Sequence, residues 1–137
     1  MTNIATAIDD IETWFDGAWA AGSYSNVPLH FSQDVIDDPN NEPWVHLSFL
    51  FGPTARTTFP PSRQEETTAT LSIDVFAPKD EGSLATIGAI TDEVRRIIRS
   101  GSITDVRILA PQGPNEIPED NWLQWNISTT FYVDETL

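Results

Sequence analysis

The residues able to do chemistry in this chain are mostly carboxylates. Its 137 residues hold 21 Asp and Glu against 7 Lys and Arg, with two His, no Cys and a net charge of −14. Without cysteine there is neither disulfide nor thiolate chemistry, and that absence fits a reducing or an oxidising compartment alike. Carboxylate pairs stand at Asp9/Asp10 and Asp37/Asp38, but on polar stretches, where burial does not raise a pKa toward acid–base work. The single lysine, Lys79, adjoins Asp80 and Glu81, which hold it charged rather than nucleophilic. His30 and His46 lack the Cys neighbours or the His-x-x-x-His spacing of a zinc site. Residues 34–43 are rich in carboxylates and amides but lack the spacing and the glycine of an EF-hand loop, so a solvated loop is the reading they support. There is no Gly-x-Ser-x-Gly elbow, no Gly-x-Gly-x-x-Gly and no Walker loop. The expectation is a protein that is not an enzyme and needs no cofactor or metal.

The few cations are placed unevenly. Eight carboxylates precede Arg56 and no Lys or Arg does. A nucleic-acid binder relies on Lys and Arg to release counterions, so specific DNA or RNA binding is not expected. The acidity serves solubility, or else a surface that repels DNA passing close by. Arg56 and Arg63 lie on one segment, residues 52–67, with Phe59 between them next to Pro60 and Pro61. The segment has no convincing period and exceeds the length usual for a structureless connection. It is therefore a functional or disordered loop, or an extended hairpin arm with its tip near Pro60-Pro61. Its two guanidinium groups suit carboxylates on another chain, and Phe59 suits an apolar anchor.

The elements that position these residues are organised around residues 68–101. From Thr68 to Phe76 the chain alternates, with Ala69, Leu71, Ile73 and Val75 on one side and Thr70, Ser72 and Asp74 on the other, as in a half-buried strand. After a break at residues 77–82 the period becomes helical: Leu84, Ile87, Ile90, Val94, Ile97 and Ile98 share a face. Ser83 is the expected cap and Gly101 the expected left-handed closing residue. A first helix over residues 3–21 carries Ile4, Ala7, Ile8, Ile11, Phe15, Ala18 and Trp19 inward, capped by Thr2 or Asn3. Trp14 is at the edge of that stripe, as a core flank or as a partner contact.

Strands are expected near 27–31, edge-like because of Pro28, and near 44–51, 68–77, 103–110 and 122–133, with residues 111–121 as a loop. In the second of these Val45, Leu47, Phe49 and Phe51 take one face, leaving Trp44 and His46 on the other as surface or interface residues. The order α, β, β, β, α, β, β implies an α+β fold: a mixed or mainly antiparallel sheet of about five strands with two helices packed on one face. By length this is a single domain. No run of 18 apolar residues exists to span a membrane, and no basic, then apolar leader is visible at the N-terminus.

The order of these features, with Pro43-Trp44-Val45 opening a strand, Asp74-Val75-Phe76-Ala77-Pro78 ending one, Asp92-Glu93-Val94 and Ile97-Ile98 in the helix and Trp125-Asn126-Ile127-Ser128-Thr129-Thr130-Phe131 closing the chain, resembles the tail terminator (tail-completion) proteins of long-tailed phages, the lambda-type terminator among them. The resemblance implies a structural virion protein of the neck, assembled in the host cytoplasm. It implies a homo-oligomer, a hexameric ring, that caps the head-proximal end of the tail tube and stops its polymerisation. Its partners would be the tail tube protein and a head–tail connector or head-closure protein, with DNA passing through the lumen unbound and no membrane involved. On this reading Arg56, Phe59, Arg63, Trp44 and His46 form the subunit or tube interface. The alternatives are another neck protein, such as a head-closure or adaptor subunit, and a small monomeric protein-binding module.

Overall fold

The structure, a computed structural model, describes residues 4–31, 42–56, 64–80, 82–103, 106–118 and 121–136; for residues 52–56, 64–66 and 134–136 it describes the backbone alone. The chain forms helix α1 (Ile4–Ala20), strands β1 (Leu29–Phe31), β2 (Trp44–Arg56) and β3 (Gln64–Pro78), helix α2 (Ser83–Ser100), and strands β4 (Val106–Ile108), β5 (Gln112–Ile117) and β6 (Trp122–Thr136). The strands make one mixed sheet in the order β1-β2-β3-β6-β4, with β5 also on β6, and β1 alone runs parallel to its neighbour. This is the expected α+β fold, with six strands among the described residues rather than about five.

Alternation decides which side of each long strand is inward. Across β2, β3 and β6 the register aligns Leu47 with Ile73 and Ile127, and Phe49 with Leu71 and Thr129. Those rows, with Val45, Val75, Phe131 and Val133, form one core with Ala7, Ile11, Phe15 and Trp19 of α1 and Ile87, Ile90, Val94, Ile97 and Ile98 of α2. Both helices therefore cover the same face. Full burial of such side chains contributes about 1.5–3 kcal/mol each, against the entropy of ordering the chain. Trp19 also donates its indole N–H to the Val27 carbonyl at 3.0 Å, tying the end of α1 to the turn before β1.

Several local expectations are corrected. Of the readings open for residues 52–67, the described parts fit the extended hairpin arm and not a loop: β2 and β3 run past their expected limits at 51 and 68 and continue pairing out to Arg56 opposite Glu65, with a register shift between Phe51 and Thr54. The sequence there is mostly polar and offers no apolar alternation to mark a strand. Residues 111–121 are not all loop either. β5 pairs with β6 as an edge strand, which tolerates Pro114 because only one side of it needs a ladder. Its register shift sits at Gly113, where φ is +98° and an added Cβ would lie 2.7 Å from the Asn126 carbonyl, so glycine is required. The strand expected at 103–110 shrinks to Val106–Ile108.

The ends of α2 also differ from expectation. The N-cap is Gly82 in the left-handed region, and no side chain caps the helix. Ser83 instead accepts the Asp80 N–H at 3.0 Å and donates to the Pro78 carbonyl, fastening the helix start to the end of β3. Leu84, at the rim of the stripe, is 65 % exposed, and Thr91 takes the buried place. Gly101 is extended, at φ −71° and ψ 140°, so backbone handedness does not select it. A Cβ there would lie 2.2 Å from Trp14 Cζ2: the glycine makes room for an indole ring. Trp14, edge-on to Phe15 and half-buried, is thereby a core flank joining α1 to the end of α2. The expected caps Thr2 and Asn3 lie outside the described residues, as do Asp37, Asp38 and most of the 34–43 loop.

Two outcomes follow from this packing. Replacing Ile73 or Ile127 with Asp places an unpaired carboxylate in the centre of the core and abolishes the cooperative thermal transition seen by circular dichroism. Gly101→Ala costs about 1–3 kcal/mol in urea unfolding through overpacking against Trp14, and most of that cost disappears in a Trp14→Ala background.

Candidate interaction surface

With both helices on one side, the other face of the sheet is left without a covering element among the described residues. The parity that sends Val45, Leu47, Ile73 and Ile127 inward sends Trp44, His46, Ser72, Asp74, Phe76 and Asn126 to this face. It is not uniform. At one end Trp44 stacks on its cross-strand partner Phe76, ring centroids 4.0 Å apart and 5° from parallel, with His30 (5.9 Å) and Trp122 (6.5 Å) edge-on to it. All four are half-buried. The Trp44 indole N–H is shielded from solvent and has no acceptor among the described residues, so the cluster holds a donor that they leave unsatisfied.

A polar row crosses the sheet beside this cluster. The register sets His30 opposite His46, His46 opposite Asp74, and Asp74 opposite Asn126. The Asn126 side-chain amide donates to Asp74 Oδ1 at 2.9 Å and to Ser72 Oγ at 2.8 Å, fixing the carboxylate in place. Farther along, Arg107 of β4 lies over the Tyr132 ring, 4.7 Å from its centroid, a cation–π contact on the same face. No group of three or more His, Asp or Glu among the described residues is placed to hold a metal. A cleft of about 410 Å³ beside the α1–β1 connection is lined by Tyr24, Val27, Pro28, Pro43 and Thr86, with Glu42 its one carboxylate and no base opposite it.

The five interface residues expected from sequence are treated unequally. Trp44 and His46 do lie on the uncovered face, two residues apart on β2, although Trp44 is packed rather than projecting. Arg56 ends β2, its backbone paired with Glu65. Phe59 and Arg63 lie outside the described residues. The partners Phe76, Trp122, Asp74 and Asn126 were missed as a group. Parity alone put them on this face, but the register that makes them neighbours spans more than forty residues of sequence.

A second charged feature is on the helix layer. Three of the seven basic residues, Arg95, Arg96 and Arg99, line a shallow open groove on α2 with Asp92 and Ser100. Arg96 donates to the Glu93 carboxylate one turn back, and that hydrogen bond, reinforced by charge attraction, holds its guanidinium above the ordinary arginine value. Arg95 keeps a buried Nε–H that has no acceptor among the described residues.

No family model and no curated protein matches the chain. Among solved structures, a chain whose name carries no functional description superposes with a TM-score of 0.64 at 16 % identity, over 91 % of this chain and 94 % of that one. At that identity the likeness establishes a shared α+β fold and nothing about activity.

The aromatic cluster makes a checkable statement about stability. Trp44→Phe keeps the stack on Phe76 while removing the unsatisfied N–H, and shifts the unfolding free energy by less than about 1 kcal/mol in either direction. Trp44→Ala loses the stack and costs about 2–4 kcal/mol, measured by urea titration of the same preparation. A large loss in the phenylalanine variant would mean that the indole N–H has a partner in solution.

Proposed function

We propose that this protein is a ring-forming structural subunit of a phage neck, a tail terminator that caps the tail tube. The observation that carries this reading is the one-sided sheet: both helices pack on one face, and the other, with its half-buried aromatic cluster, has no covering element among the described residues. A second feature supports it. β1 pairs only with Val45–Leu47, so the outer edge of β2 from Ser48 onward has no strand beside it among the described residues, and Leu50 and Phe51 there are 64 % and 48 % exposed. Unpaired edges and exposed apolar side chains are normally covered, by the fold itself or by another chain.

The resemblance in element order supplies the particular assembly, and the observed order of helices and long strands agrees with it. In such a ring two different surfaces of each subunit meet, and closure leaves no free ends. With −14 per subunit, a hexamer carries 6 × −14 = −84, so charge repulsion opposes assembly at low salt and supports a ring completed on the tube. The same acidity keeps the lumen from gripping the DNA that passes through it. Arg56, Phe59 and Arg63 would then meet the tube or a neighbouring subunit, and the head side would meet a connector or head-closure protein.

Mass in solution and copy number in the particle test the reading. Multi-angle light scattering is expected to show a closed oligomer at physiological or higher salt, and the particle to contain six copies at the neck. A monomer at every salt concentration, together with a single copy per particle, would reject the ring in favour of a monomeric binding module.

A further inference from the structure

The outward faces of the two helices are complementary in charge, and Asp9 and Asp16 on one and Arg95 and Arg99 on the other have no ion pair among the described residues. On α1 the exposed positions include Asp9, Thr13, Asp16 and Gly17, a face with two carboxylates and otherwise small side chains; Gly17 has open space where a Cβ would be. No Lys or Arg occurs anywhere in α1. On α2 the exposed face carries Arg96 and Arg99, with Arg95 half-buried beside them. Neither Arg95 nor Arg99 has an ion pair among the described residues, and Arg95 retains its unaccepted buried Nε–H.

Their placement decides what kind of contact they can make. α1 and α2 lie side by side, joined where Trp14 fits against Gly101 and where Glu93 closes on Gly22. At about 100° per residue, Arg95 and Arg99 lie about 160° and about 120° round α2 from Glu93, and Asp9 and Asp16 lie about 140° and about 160° round α1 from Trp14. Both charged faces therefore turn away from the seam between the helices. The acidic face of one subunit can reach the basic face only of another.

We infer that the acidic outer face of α1, through Asp9 and Asp16, docks on the Arg95–Arg99 flank of α2 in a second copy of this chain. The inference rests on the ring reading above and names the two surfaces that meet in it. The occupant is a second copy because the matching carboxylates, on a helix bare of cations, belong to this chain itself. The contact is also head-to-tail: each subunit offers one face of each kind, so the helix layer continues from copy to copy and can close. Guanidinium groups suit the role, since each can hold a carboxylate by two parallel hydrogen bonds. Asp92 at the groove and the Arg96–Glu93 pair next to it set the limits of the basic patch. At physiological salt the screening length is about 8 Å, so the diffuse repulsion between acidic subunits is damped while pairs in direct contact persist.

Charge reversal tests the contact. The first variant carries Arg95→Glu and Arg99→Glu, the second Asp9→Arg and Asp16→Arg; circular dichroism melting verifies that each is folded, as expected for changes at exposed or half-buried sites. Sedimentation velocity at physiological salt is expected to show loss of the oligomer in each variant alone and its return in an equimolar mixture, where every acidic face again finds a basic one. General repulsion predicts otherwise for the second variant, whose two reversals of two units each take the net charge from −14 to −10 and would favour association. Oligomer formation by either variant alone at the wild-type level, or a mixture that stays monomeric while the wild type associates, overturns the contact and leaves the ring reading standing. A wild-type chain that is monomeric under all conditions overturns this contact as a solution interface, and the copy number in the particle then decides separately whether a ring exists.

Discussion

The pairing of β3 with β2 on one side and β6 on the other is the constraint from which the rest of the structure follows. β3 is matched to β6 along its whole length, from Gln64 opposite Thr136 to Pro78 opposite Trp122. Because side chains alternate with a period of two, this register assigns every residue of three strands to a face at once. A slip of one position would send Ile73, Leu71 and Val75 to solvent and bring Asp74 and Ser72 under the helices. The apolar rows hold the register, and the register in turn builds the polar row of His30, His46, Asp74 and Asn126 on the opposite side.

One-sided coverage is the consequence that matters for function. The helices are fixed to the sheet at their ends as well as by their stripes: Ser83 ties α2 to the end of β3, Trp19 ties α1 to the turn before β1, and Trp14 fills the space that Gly101 leaves. With the helix layer so held, its outward charges are presented at fixed positions. The other face of the sheet, with the Trp44–Phe76 stack, is a second surface of different chemistry. Unlike surfaces on the two sides of the layer, and a β2 edge without a strand beside it among the described residues, are what the proposed head-to-tail assembly would use.

Much of this was legible in the chain because the periods are strong. Helix spacing marked α1 and α2 within a residue or two of their observed limits, and alternation gave Val45 and Leu47 of β2 and Ala69, Leu71, Ile73 and Val75 of β3 as inward, the single shared face for both helices and the outward placement of Trp44 and His46. The readings that failed did so where local chemistry carries little period. β5 is a short edge strand interrupted by Gly113 and Pro114, and Leu84 sits where the helical stripe ends. Gly101 was read as a backbone requirement, and is instead a steric one imposed by a side chain on another helix.

The sequence by itself determined the class of fold, the division of each strand into two faces, the net charge and the scarcity of cations, since these depend only on composition and on neighbours a few residues apart. Tertiary structure alone decided which outward residues meet. Phe76 lies under Trp44, Asn126 holds Asp74, and Trp14 occupies the place of an absent Cβ at Gly101. Those contacts join positions thirty to ninety residues apart, and no local pattern encodes a register or a crossing helix; they exist only once the core has drawn the strands and helices together.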